Sequence, residues 1–296
     1  MDALLPPKDR ATQVCESLLK VNANPVSVEV VLNYFDDALK NEKRPAQKSF
    51  VVVAQAAAAK GRADILERLL EVGCQLCPTI YWGAIEGRSI AVFEVLRRRG
   101  WNINNQCMPG GFPILGHLWE DPHLANWFFS QGADLNKKNN KGKTPLSIIV
   151  QNAPKETISW FLDKGGLVDQ GWLLHYALRR GSEQYEVVHL LLKFLTEKQK
   201  KDPRDLLNTY ELKGYPIDPC ERGTARVTPL QEAAGRGDER LVRLLIHMGA
   251  SSSAPDSEGH TALAYAHGDI RIIQAMQEGD AGVIQAVQQN SRKDSV

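Results

Sequence analysis

Few residues in this chain have the spacing for chemistry. Cys74-Gln75-Leu76-Cys77 holds two thiols at the separation of a metal knuckle or a redox dithiol. A zinc site needs a complete tetrahedral ligand set, and no second CxxC or CxxH follows. Cys107 comes 33 residues after Cys74. His123 and His175 are lone histidines. There is no GxSxG elbow, HExxH pair, Walker-type phosphate loop or glycine-rich dinucleotide turn. Gly110-Gly111 runs into Phe112-Pro113 and is a turn, not a phosphate cradle. Catalysis is not expected, and neither is a metal or a cofactor.

Any functional residue must then act by position on a scaffold, and composition says what scaffold is affordable. The chain has 296 residues, 43% hydrophobic and 24% charged, enough to bury a core and not disordered by composition. Lys and Arg total 36 against 35 for Asp and Glu, a net charge of +1. A balance this even draws neither nucleic acid nor anionic membrane by bulk field, so charge can act only through a local patch. No apolar run approaches the roughly 20 residues of a membrane span. The start, Met1-Asp2-Ala3-Leu4-Leu5-Pro6-Pro7, lacks the basic head and apolar stretch of a secretory signal. Five cysteines, an odd number spread from Cys15 to Cys220, argue against a disulfide framework. A soluble protein of the cytoplasm or nucleus is expected.

Internal repetition dominates the rest of the sequence. Thr228-Pro229-Leu230-Gln231-Glu232-Ala233-Ala234 is followed by Gly237, Leu241-Val242, Leu244-Leu245 and Gly249-Ala250. Thr261-Ala262-Leu263-Ala264-Tyr265-Ala266 begins 33 residues after Thr228. Upstream, Gly142-Lys143-Thr144-Pro145-Leu146 opens a similar block that closes at Gly165-Gly166. Thr before Pro supplies an N-cap followed by the residue best suited to the first helical position. The alanine pair lets a short helix lie close to its neighbours. A glycine then breaks the chain so that a second helix, apolar at Leu241, Val242, Leu244 and Leu245, can pack back antiparallel. Gly249 supplies the left-handed residue that ends it. Neither helix can bury its face alone, so the units must stack.

On these residues the chain resembles the ankyrin-repeat family. The Thr position falls at Val52, Thr79, Phe112, Thr144, Trp172, Thr228 and Thr261, which predicts seven imperfect copies over 48–279. The blocks at 144–166, 228–250 and 261–279 lie closest to the pattern. The third copy replaces the alanine pair with His117-Leu118, and the fifth keeps a His at 175. That His matches the family's helix-start histidine, which the resemblance implies hydrogen-bonds locally. From 172 to 228 is 56 residues, so 23 are inserted, at about 196–219. A lengthened helix with a solvated loop is the plainer reading of this insertion; a partner-binding excursion is the sharper one. Helical faces before residue 48 and after 279 predict caps, 1–47 and 280–296, over the open ends. The fold expected is all-α, an ankyrin-type helical solenoid.

The resemblance also implies which surface to read: hairpin tips and the exposed ends of first helices line one concave face. The residues it places there are Lys60, Glu86, Trp119, Glu120, Gln151, Arg179, Arg180 and Arg236, with Lys141 and Lys143 at a tip. The row drifts from mixed and acidic to basic along the chain, and Trp119 is an aromatic of the type enriched in binding hot spots. Alternatively, Trp119 fills a packing defect in a decayed repeat. The expected function is a non-catalytic adaptor, scaffold or regulatory subunit, monomeric by itself. It would bind another protein, one with an acidic segment facing the basic half, and neither nucleic acid nor membrane. A regulatory or inhibitory subunit of an enzyme or transcription complex is the alternative. A zinc or thiol-redox protein using Cys74 and Cys77 ranks below it. In a stack, Cys74 and Cys107 would sit on adjacent units about 8–10 Å apart, whereas zinc–sulfur bonds are about 2.3 Å long. Arg97-Arg98-Arg99 at the end of a second helix is read as solvated charge favoured by the helix dipole.

Overall fold

The computed structural model describes residues 47–71, 73–105, 111, 113–181, 183–209 and 227–279. The expected C-terminal cap, and all but the last residue of the N-terminal one, lie outside these. The described residues form helices and no strand. The chain divides into two compact units, Met1–Asp134 and Leu135–Val296.

In the first unit, α1 (Gln47–Ala59), α2 (Ala63–Glu71), α3 (Pro78–Gly87), α4 (Ile90–Arg98) and α5 (Pro122–Ser130) alternate between two layers. First-layer helix α1 packs on α3, and second-layer helix α2 on α4. Small residues set the first spacing: a Cβ on Gly87 would lie 2.2 Å from the Ala58 carbonyl oxygen, so backbone meets backbone. The second layer buries Ile65, Leu66 and Leu69 against Val92, Phe93 and Leu96, all fully buried. Phe93 meets Phe128 of α5 edge-to-face, with ring centroids 4.9 Å apart. The third copy departs from the template, since its first helix is a 3-10 turn, Ile114–His117. Gly116 weakens an α-helix there, and His117 occupies the position of a small alanine.

In the second unit the first helices are α6 (Pro145–Asn152), α8 (Leu173–Leu178), α11 (Pro229–Gly235) and α13 (Ala262–Tyr265). Each packs on the next. The second helices, α7 (Lys155–Asp163), α9 (Gln184–Glu197) and α12 (Glu239–His247), form the other layer. Helix α14 covers 270–279. Buried polar side chains join successive repeats. Thr228 and Gln231 close a capping box, with the Gln231 amide proton on Thr228 Oγ1 at 3.3 Å and Thr228 N–H on Gln231 Oε1 at 2.6 Å. Gln231 Nε2 then donates to the carbonyls of Ala254 and His260, both at 2.9 Å, in the next hairpin. Ser147 holds the same position in α6 and donates to the Gly171 carbonyl at 2.6 Å. His175 holds it in α8, and its Nε2 lies 3.0 Å from the Val227 carbonyl. The expected local bond of His175 is therefore a bond across to the next repeat.

A second set of amides locks the loops. Asn136 donates to the Gly165 carbonyl and accepts from Leu167 N–H, at 2.9 and 2.8 Å. Asn208 does the same to Gly249 and Ser251, at 3.1 and 2.7 Å. Asn208 thus marks where the fifth copy regains the repeat pattern. The extra length therefore falls in two pieces, one before Asn208 and one after it. The first lengthens α9, turns, and forms the single-turn helix α10 (Arg204–Leu207), whose Leu207 is fully buried. This piece docks onto the array instead of looping into solvent. Residues 210–226 of the second lie outside the described residues.

Candidate partner-binding face

The residues expected on the concave face divide by unit. In the first, Lys60 follows α1 and Glu86 lies on α3, both exposed. Trp119 is half-buried, between the exposure of a contact residue and the burial of a packing one. Glu120 is exposed and ion-paired with Arg88. Beside them Trp82 meets the half-buried His117 edge-to-face at 5.0 Å, and burial pushes the imidazole below its ordinary pKa.

In the second unit, the turn ahead of α6 presents Lys141 and Lys143. Asn139 Oδ1 accepts from both of their backbone N–H groups at 2.9 Å, which fixes the tip. The Lys143 ammonium lies 5.6 Å from the centroid of the Tyr176 ring. Gln151 is exposed near the end of α6. The three arginines then part company. Arg180 has a side chain only 9% exposed. Its Nη1 donates to the Val150 carbonyl at 2.6 Å and its Nη2 pairs with Glu183 at 3.2 Å. It braces the last turn of α6 by bonding Val150, one of the carbonyls near a helix end that the helix's own ladder does not satisfy. Arg179 and Arg236 are more than one-third exposed, and both reach the same atom, Glu232 Oε1, at 3.2 Å. Glu232 is the residue that sequence reasoning missed. Its side chain is 9% exposed, and its Oε2 is buried with no hydrogen-bond partner. The expected run of three cations is therefore one bracing arginine and a triad of net charge +1. Glu232 and Arg236 show the i,i+4 spacing of a helical ion pair in the sequence. Arg179, 53 positions earlier, is joined to them only by the stack.

The other candidates resolve as structure. Arg98 pairs with Glu67 at 3.0 Å, Arg99 with Glu71 at 3.1 Å, and Arg97 hydrogen-bonds Gln131, so this triplet, exposed to solvent as expected, also ties second helices together at the surface. Burial, with a smaller contribution from neighbouring Cys77, pushes the Cys74 thiol up to about 11. A nucleophilic or ligating thiolate needs the opposite shift. Cys77 caps the start of α3 and hydrogen-bonds Thr79 Oγ1 at 3.1 Å. Cys107 lies outside the described residues. Among the described residues no group of three or more His, Cys, Asp or Glu could hold a metal ion. No helix among them is long and apolar enough to cross a membrane.

Residues 118–205 match the family of ankyrin repeats over three copies, and residues 226–257 match a further ankyrin repeat. No curated protein matches the sequence. Among solved structures, the chain is similar to the human ASB11 ankyrin repeat domain at 20% identity, covering 76% of this chain and 96% of that one, with a TM-score of 0.49. It is similar to the ankyrin repeat domain of Bcl-3, of the IkappaB protein family, at 20% identity, covering 76% and 97%, with a TM-score of 0.48. A third is a chain from the complex of the Bd0816 predatory endopeptidase of Bdellovibrio bacteriovorus with immunity protein Bd3460. There the identity is 19%, the coverage 67% and 96%, and the TM-score 0.46. The stacked helix pairs, the Thr-Pro caps and the two matched stretches identify ankyrin repeats at 118–205 and 226–257.

Proposed function

We propose that the chain is a non-catalytic module that binds another protein through the first-helix face of its second unit, with Arg179, Glu232 and Arg236 at the centre of contact. Ankyrin repeats are in general protein–protein interaction modules, and this supports the class. The observation that carries the finer reading is the triad. One buried carboxylate holds two part-exposed guanidiniums, so their geometry is fixed before a partner arrives. A guanidinium pair held this way loses little side-chain entropy on binding and suits carboxylates, which favours an acidic segment in the partner. Lys141, Lys143 and Gln151 extend the polar row, whereas Arg180 serves the fold.

The test is capture of partners from the native cell by the full chain and by the variant Arg179→Gln/Glu232→Gln/Arg236→Gln. The triple change removes the cations without stranding a buried charge. A partner held by the parent should bind the variant about tenfold more weakly or worse, with the helical far-UV signal and melting temperature preserved. Equal binding by a folded variant removes the triad from the interface.

A further inference from the structure

Four departures from the repeat pattern meet at one place in the second unit. Asp169 stands 33 positions after Asn136, where the amide that locks the next loop is due. A carboxylate cannot donate to a carbonyl as that amide does. Here Asp169 Oδ2 takes the Lys201 ammonium at 2.6 Å, while Oδ1 is buried with no hydrogen-bond partner. The hairpin before α8 is cut short, and Trp172 takes the N-cap position in the left-handed region, φ +63°. A bulky residue adopts that conformation only under constraint from its surroundings, a kind of strain that gathers at binding sites. Its ring meets His175 edge-to-face at 5.4 Å. Finally, the docked piece of the insertion brings in Lys201, Asp202 and Asp205. These groups line an open cavity of about 350 Å³.

The cavity is chemically one-sided. Its wall is the Trp172 and His175 pair with leucines, and its charges are three carboxylates against the one ammonium of Lys201. Asp202 is engaged by Arg204 at 2.9 Å. The Asp205 carboxylate is exposed, whereas the Asp169 oxygen without a hydrogen bond is itself buried and adds negative charge behind the wall, not a contact. An apolar wall with an aromatic face, ending at the exposed Asp205 carboxylate in a surplus of negative charge, matches a long basic side chain.

We infer that this cavity is a receptor for an arginine or lysine side chain of a partner protein. The inference rests on the reading of the chain as a protein-interaction module. It adds a second contact of opposite charge preference to the triad.

Random linear peptides selected on the full chain, then compared on Asp169→Asn/Asp205→Asn, test it. Peptides should emerge with one fixed Arg or Lys. Changing that residue to citrulline or norleucine should weaken binding about tenfold or more, as should the double variant. Asp205→Asn, which touches an exposed side chain only, should give a smaller loss in the same direction and guards against misfolding of the pair. Binding to the triad variant Arg179→Gln/Glu232→Gln/Arg236→Gln should persist, so loss of the triad reading leaves this one standing. Selection that yields no peptide with a fixed basic residue overturns the inference. So does selection of peptides that bind parent and double variant within about twofold of each other.

Discussion

Asp256 shows how much a single side chain can hold in this fold. Its Oδ1 accepts from Glu258 and His260 N–H at 2.7 and 2.9 Å, closing the hairpin, and its Oδ2 accepts from the Tyr265 hydroxyl. Burial alone would raise this carboxyl. The Tyr265 bond and the two amides outweigh it and bring the pKa to about 2. Burial and the same carboxylate push Tyr265 up to about 12. A carboxyl whose folded pKa lies below its unfolded value stabilises fully above the unfolded value, roughly pH 4. That contribution is lost as pH falls toward about 2. Denaturant midpoints followed down from pH 5 should therefore fall more steeply for the parent than for Asp256→Asn, and parallel slopes would refute the assignment. Tyr265→Phe should cost about 1–2 kcal/mol near neutral pH, read from thermal melts. At this scale the Thr-Pro caps were legible from sequence, because their partners sit three residues away. The reach of His175 to Val227 was not, since 52 positions and an insertion separate them.

Among the elements, the docked piece of the insertion depends on one side chain. The Asn208 amide makes both of its bonds to the hairpin after α12, and Leu207 beside it is fully buried. Asn208→Ala should lower stability by about 1–3 kcal/mol, since two loop groups lose partners. It should also open 198–209 to proteolysis while α6 and α7 remain protected. Cleavage no faster than in the parent would mean that Leu207 alone holds the segment. Helix existence was readable wherever Thr, Pro, small residues and glycine recur in phase, as at 144 and 228. The third copy was readable as a repeat but not as a 3-10 turn, because its Gly116 and His117 change how the chain winds without changing the register. The insertion was visible as surplus length. Its docking was not, because an Asn bracket carries no signal until its loop partners are known in space.

Across the second unit as a whole, stability should follow position in the stack. Each repeat gains from its own helix pair and from its neighbours, so interior repeats are held twice and end repeats once. Leu191 and Leu192 of α9 are fully buried in a layer that touches both α7 and α12. Helix α13 has four residues, and the last described repeat leaves Leu263 57% and Ile270 68% exposed. Amides of 262–276 should then exchange with solvent well before those of 146–162, through local opening of the last described repeat. Leu191→Ala should cost about 2–5 kcal/mol and lower protection throughout the unit. Ile272→Ala removes a side chain that is equally buried but belongs to the last described repeat. Its effect should stop there, raising exchange in 262–276 and leaving α6 through α9 near parent values. Hydrogen exchange by mass spectrometry on the full chain separates these outcomes. If Ile272→Ala loosens α6 and α7 as much as Leu191→Ala does, the unit opens as a single block. The binding face would then be only as ordered as its weakest repeat, and the preorganisation of the Arg179–Glu232–Arg236 triad would depend on the far end of the stack.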